Sequence, residues 1–157
     1  MKSSRTPVRP ALAALFAALS LAAAADSPLT RTELRSGAHS FNVEVASTPQ
    51  QRAQGLKGRT RLDDGTGMLF IFEHPDRHCF WMKDTALPLS VAFLADDGTV
   101  VGIADMQPET TDLHCATTPV RYALEVTQGG LGSRGIGPGV RVTGRPLGTR
   151  LYRHSQE

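Results

Sequence analysis

Turn-forming residues recur along this chain too often to leave room for a long helix, and the stretches between them alternate apolar and polar residues as strands do. Residues 29–35 and 40–46 flank Ser36-Gly37-Ala38-His39 and predict a hairpin, with Phe41, Val43 and Val45 on one face. Thr48-Pro49-Gln50-Gln51 then reads as a helix start: Thr48 is the N-cap, Pro49 takes the first helical position, and Gln51 completes a capping box. Gly55 and Gly58 stop that helix within two turns. Gly67-Met68-Leu69-Phe70-Ile71-Phe72 is a nearly continuous apolar run, as expected of a strand covered on both faces. Residues 89–95 and 99–104 surround the turn Asp96-Asp97-Gly98, residues 120–127 alternate again, and 140–143 with 151–152 are expected to close the sheet. The predicted fold is mainly β, a single-domain antiparallel sandwich or barrel with one or two short helical turns.

The N-terminus carries a different signal. Lys2, Arg5 and Arg9 precede a run of Ala, Leu and Phe with one Ser over residues 11–22, and Ala23-Ala24-Ala25 before Asp26 supplies small residues for cleavage. The run is shorter than the ~20 residues a membrane span needs, and no Cys near the cut would accept a lipid. Residues 1–25 are therefore expected to be a cleaved signal peptide, and residues 26–157 a single periplasmic domain. Three of the 17 basic residues and none of the 15 acidic ones lie in the leader, so the mature chain carries 14 against 15, a net charge of −1. No Lys/Arg stripe with interleaved aromatics follows, which argues against nucleic acid as a partner. About 130 residues suffice for one core, and a monomer without stable membrane insertion is expected.

Both cysteines, Cys79 and Cys115, remain in the mature chain, where an oxidising compartment favours a disulfide between them. Two free thiols are the alternative, and a metal site is a third reading because His78 and His114 each precede a Cys. Adjacent strand residues point to opposite faces, which works against His78 and Cys79 sharing an ion, so no metal or cofactor is assigned. Met68, Met82 and Met106 lack clustered soft-metal spacing and are assigned to the core.

Residues 77–85, Arg-His-Cys-Phe-Trp-Met-Lys-Asp-Thr, read as a strand. Its alternation puts Cys79, Trp81, Lys83 and Thr85 on one face and His78, Phe80, Met82 and Asp84 on the other. Trp81 is the only Trp, and Lys83 is one of two lysines in the mature chain, the other being Lys57. Together they suit a ligand with a stacking surface and a negative charge. The competing reading makes Phe80 and Trp81 core residues and Lys83-Asp84 the strand's exposed end.

Four motif blocks run through the chain: Thr48-x-x-x-Arg52-x-x-Gly55-Leu56-x-x-Arg59-x-x-Leu62, Gly67-Met68-Leu69-Phe70-x-Phe72, Phe80-Trp81-Met82-Lys83-x-Thr85-x-x-Pro88-Leu89, and Tyr122-x-Leu124-Glu125-Val126. Together they resemble the domain of unknown function 192 family over roughly residues 30–145. The resemblance implies a compact, β-rich, jelly-roll-like fold in proteins that are often exported, and it implies no established reaction. Lys57 stands where that family usually has Met, and Asp84 where it usually has Asn; Asp84 keeps an acceptor but loses the amide donors and adds charge. The motifs concentrate Arg52, Arg59, Trp81, Lys83, Thr85 and Glu125, the expected ligand-binding residues, whose cationic majority suits a small anionic or carboxylate-bearing ligand. The competing role for Arg52 and Arg59 is to pair with Glu125 or Glu44 and fasten the short helix to the sheet.

Catalytic patterns are weaker. Gly130-Leu131-Gly132-Ser133-Arg134-Gly135 matches a dinucleotide fingerprint after a strand, but 22 residues remain after Gly135, too few for the rest of a βαβ unit. A Cys nucleophile needs a free thiol, and no nucleophile-elbow sequence occurs. Glu125 with Asp84 or Asp105 would supply the two carboxylates of a small cell-envelope hydrolase, the second reading. The first is an exported binding or accessory module, not an enzyme, with a site near Trp81 and Lys83 for a small anionic ligand or envelope component; metal binding at the His-Cys pairs is the third. Intact mass of protein recovered from the periplasm is expected to start at Asp26, with no thiol alkylated after denaturation until reductant is added. A chain still carrying residues 1–25 would rule out cleaved export.

Overall fold

The computed structural model describes residues 28–149, so the expected signal peptide and residues 151–152 lie outside the described residues. The elements run in the order β1 (Thr30–Ser36), β2 (His39–Ala46), α1 (Pro49–Gln54), β3 (Thr66–Asp76), β4 (Cys79–Phe80), β5 (Leu89–Leu94), β6 (Val100–Met106), β7 (His114–Cys115) and β8 (Val120–Thr127), followed by a 3-10 turn at Gly132–Arg134. Six strands form one sheet in the order β1-β2-β3-β8-β5-β6, and β4 pairs with β7 in a second, two-stranded sheet. The fold is mainly β and sandwich-like, as the alternation predicts, and the strands do not close into a barrel.

Local chemistry accounts for the elements. Ser36 stands opposite His39, so the β1–β2 hairpin turns on two residues, the first of them Gly37 at φ 57°. At α1 the capping box forms as expected: Thr48 Oγ1 accepts from Gln51 N at 3.1 Å, and Gln51 Oε1 accepts from Thr48 N at 3.2 Å. The helix ends at Gly55, whose N–H donates to Gln51 O. Strand β8 has the predicted limits, and β3 runs past Phe72 to Asp76, with a register irregularity between Ile71 and Asp76.

Three expectations need correction. The sheet is not wholly antiparallel: β2 and β3 are parallel, Asn42 to Ala46 lying against Thr66 to Phe70. A parallel pair requires the chain to leave the sheet and return, and residues 47–65 make that crossover. Residues 77–85 are not one strand. Their alternation holds through Met82, with Phe80 and Met82 buried and Cys79 and Trp81 outward. It ends in a tight turn where Thr85 N donates to Met82 O at 3.0 Å and Asp84 adopts φ 60°. Residues 140–143 make isolated bridges, Arg35 with Thr143 and Thr99 with Arg141, in place of a closing strand. That segment lies against Gly98, where a Cβ would collide with the Val142 carbonyl, so only glycine admits it.

Both faces of the large sheet are covered, and β5 is buried at every residue. One face packs Leu34, Phe41, Leu69, Tyr122 and Leu124 against Leu131, Ile136 and Val142 of the C-terminal segment. The other packs Met68, Phe70, Leu89, Phe93 and Met106 against Leu56 of the crossover and Phe80 and Met82 beside the small sheet. Met68, Met82 and Met106 are thus core residues, at most 1% exposed.

Cys79 and Cys115 face each other across the β4–β7 ladder and form the expected disulfide, their Cα atoms 3.9 Å apart. Each small-sheet strand is two residues long, so the bridge adds a covalent tie to a short backbone ladder. Replacing both cysteines with Ser is expected to lower the unfolding free energy by about 4 kcal/mol on the chain-entropy account of a loop of this length. Urea midpoints of the oxidised protein and the variant provide the check, and equal midpoints would show that the bridge adds nothing.

Candidate functional site

A cleft of about 320 Å³ opens on the second face of the large sheet, between the crossover and the small sheet. That is the lower end of the ~300–1,000 Å³ typical of small-molecule sites. Its floor comes from Phe70 of β3, Leu89 of β5 and Glu125 of β8. One wall is the stretch from Arg52 to Lys57, and the other is β4 with Trp81 and Met82 after it, joined by Thr85.

Glu125 is the unusual member. Along β8, Tyr122, Leu124 and Val126 enter the first core, which turns Ala123 and Glu125 toward the second. Glu125 sits opposite Met68 on β3 and Val91 on β5, both apolar. It is 5% exposed and is the only acidic or basic side chain buried among the described residues. Its carboxyl has no hydrogen-bond or ion-pair partner among those residues and faces the cleft. Loss of water pushes its pKa up to about 8, so the group is largely an uncharged acid at neutral pH.

The mouth is cationic. Lys57 Nζ and Lys83 Nζ lie 5.9 and 5.8 Å from the centre of the Trp81 ring, which is 46% exposed. Arg52 donates from Nη1 to the carbonyls of Ser47 at 2.6 Å and Ile71 at 2.8 Å, while its guanidinium lies 5.2 Å from the centre of the Phe72 ring. Arg52 therefore fastens the helix to β3 through carbonyl groups, not through Glu125. The Thr85 hydroxyl is buried and makes one long bond, 3.4 Å, to Lys83 O.

Of the six residues expected in one site, Arg52, Trp81, Thr85 and Glu125 line the cleft and Lys83 reaches its mouth through Trp81. Arg59 stands apart: it pairs with Glu44, which Arg31 also contacts at 3.1 Å, and it lines a second cleft of about 230 Å³. Lys57 belongs to the site although the motif reading left it out; the available signal was that it replaces the Met expected there. Asp84 is exposed and does not line the cleft. Its left-handed backbone suits Asn or Asp better than most residues, and its carbonyl accepts from Gly58 N at 3.0 Å, so the exchange of Asn for Asp bears on the turn.

The other readings fare differently. Neither Asp84 nor Asp105 lines the cleft, and Asp105 instead accepts from Ser90 Oγ at 2.5 Å. The disulfide takes both thiols, and His78 stacks on Phe72 with ring centres 3.5 Å apart. Among the described residues no three His, Cys, Asp or Glu side chains are placed to hold a metal ion.

The family model for domain of unknown function 192 (DUF192), described as "Uncharacterized ACR", matches residues 31–144. This chain belongs to the DUF192 family. A solved structure from Sinorhizobium meliloti 1021, described as a candidate transcription regulator, is 33% identical, with a TM-score of 0.72 over 76% of this chain and 98% of that one. Another, a protein of unknown function from Novosphingobium aromaticivorans DSM 12444, is 34% identical, with a TM-score of 0.68 over 73% of this chain and 84% of that one. No curated protein matches the chain. All four blocks that carry the DUF192 resemblance contribute to one cleft: Arg52 to Leu56 one wall, Phe80, Trp81, Met82 and Thr85 the other, Phe70 and Glu125 the floor.

Glu125 also sets a pH dependence for the fold. Its pKa rises from an ordinary 4.5 to about 8 on folding, so between these values the folded state binds more protons than the unfolded chain. Its contribution is most favourable below about pH 4.5 and is lost as pH rises through 8. Glu125→Gln, neutral at every pH, is expected to match the parent near pH 4.5 and to exceed its stability by on the order of a few kcal/mol at pH 8.5, read from urea midpoints. Parallel pH curves for the two proteins would show that burial does not hold Glu125 neutral.

Proposed function

We propose that this DUF192 protein is an exported, periplasmic binding module for a small anionic ligand with an apolar body. The observation that carries this reading is the polarity of the cleft: aromatic and aliphatic side chains below, an uncharged acid on the floor, and Lys57 and Lys83 flanking Trp81 at the mouth. An anion seated at the lysines keeps its charge near water while its body displaces water from Phe70, Phe80 and Leu89. The signal-like sequence of residues 1–25 supports export. An acid of raised pKa in an apolar cleft also suits a hydrolase, but that chemistry needs a second carboxylate, and Glu125 is the one carboxylate among the lining residues.

The name of the S. meliloti protein raises nucleic-acid binding. Here Arg31, Arg35, Arg59, Arg61, Arg121 and Arg134 each hold a carboxylate, which favours a small ligand over a phosphate backbone. Trp81 is the only Trp, so its emission reports directly on the mouth of the cleft. Titration with 3-phenylpropionate and with phenyl phosphate is expected to change that emission saturably, with 3-phenylpropanol about ten-fold weaker. Replacing Lys57 and Lys83 together with Ala is expected to abolish the difference between acid and alcohol. Equal affinities in the parent protein would overturn the anion reading.

A further inference from the structure

Glu125 holds the chemistry that the anion reading leaves unused. The Glu125 carboxyl, 5% exposed and without a protein partner, opens onto the cleft, and a group so nearly removed from water is costly unless something in the cleft completes it. The elements packed around it supply no bonded partner: Met68 and Phe70 on β3, Leu89 and Val91 on β5, and Phe80, Trp81 and Met82 on the small-sheet side are apolar or aromatic, Cys79 is in its disulfide, and the Thr85 hydroxyl donates to Lys83 O. The charged groups on the remaining wall are Arg52 and Lys57, and Arg52 is spent on two carbonyls. An uncharged carboxyl presents an O–H donor and a C=O acceptor side by side. The complement is a group with an N–H and a C=O on the same edge, as in a primary carboxamide or a lactam; such a pair satisfies both oxygens at once, whereas a ketone or ether satisfies one.

Resting on the binding reading above, we propose that the ligand is two-ended: a carboxamide or lactam edge meets Glu125 on the floor, a single ring or short chain fills the cleft, and an anion meets Lys57 and Lys83 at the mouth. The cleft volume of about 320 Å³ suits a body of that size. Calorimetric titration with 4-carbamoylbenzoate, 4-acetylbenzoate and benzamide separates the ends. The carbamoyl acid is expected to bind about ten-fold tighter than the acetyl acid at pH 6.5, the difference of about one satisfied buried hydrogen bond, with benzamide weaker than both. Above about pH 8 in the parent protein Glu125 keeps acceptors for the amide N–H but loses the donor that a ketone needs, so the acetyl acid is expected to weaken more than the carbamoyl acid and the preference to widen, whereas in Glu125→Gln, which keeps a donor and an acceptor on one edge, it stays constant with pH. Glu125→Leu removes it at every pH. Equal binding of the two acids at pH 6.5 would overturn the amide edge while leaving anion binding in place. Benzamide binding as tightly as the acids, or no binding by either acid, would overturn the anion reading and this inference with it.

Discussion

Strands β2 and β3 run parallel, and a chain cannot make a parallel pair without first leaving the sheet. In this protein residues 47–65 make that excursion, and they use it to build a wall. The Thr48 capping box starts a helix of six residues, Gly55 ends it, and the chain passes Leu56 and Lys57 over the second face of the sheet before rejoining at Thr66. Had β2 and β3 been joined as an antiparallel hairpin, nothing would stand opposite the small sheet, and the floor around Glu125 would be open to water. The cleft is a consequence of strand direction.

Alternation and turn chemistry made most of the elements legible from sequence. Thr48, Pro49 and Gln51 announce the helix because capping is local, and Gly98 marks its turn because only glycine tolerates both the backbone angle and the approach of Val142. Strand direction was not legible, because hydrophobic period 2 is the same for parallel and antiparallel pairs. The stretch 77–85 misled because its alternation is real through Met82; what ends it is the turn in which Thr85 N donates to Met82 O and Asp84 adopts φ 60°, a turn that no Gly or Pro within the stretch announces. Motif membership brought Arg52, Trp81, Thr85 and Glu125 together. It grouped Arg59 with them because helix neighbours in sequence diverge in space once the helix ends, and Arg59 emerges toward Glu44.

The same logic explains how a carboxyl came to rest in the core. In β8 the period places residues 121, 123, 125 and 127 on one face; Arg121 and Thr127, at its ends, keep partial access to solvent, and Glu125 is the polar residue of that face that is buried mid-strand. A residue of that kind in a central strand is a stronger pointer than any polar residue on an edge strand, since the centre offers no route to water except through a cavity. Gly67 adds to the confinement: a Cβ there would strike the Glu125 carbonyl, so β3 and β8 lie close at this point.

The segment ending the described chain pairs with β1 through Arg35 and Thr143 and with the start of β6 through Val100, Gly139 and Val140. These are the two outermost strands of the six-stranded sheet. Open strand edges invite another copy of the chain to add a strand, and repeated addition leads to aggregates. One short piece of backbone thus occupies donors and acceptors on both margins, and Thr32 Oγ1 donating to Arg145 O at 2.8 Å extends its hold along the first. Part of each margin, at the Arg35 end of β1 and the Val100 end of β6, is therefore closed to growth without the sheet having to close on itself.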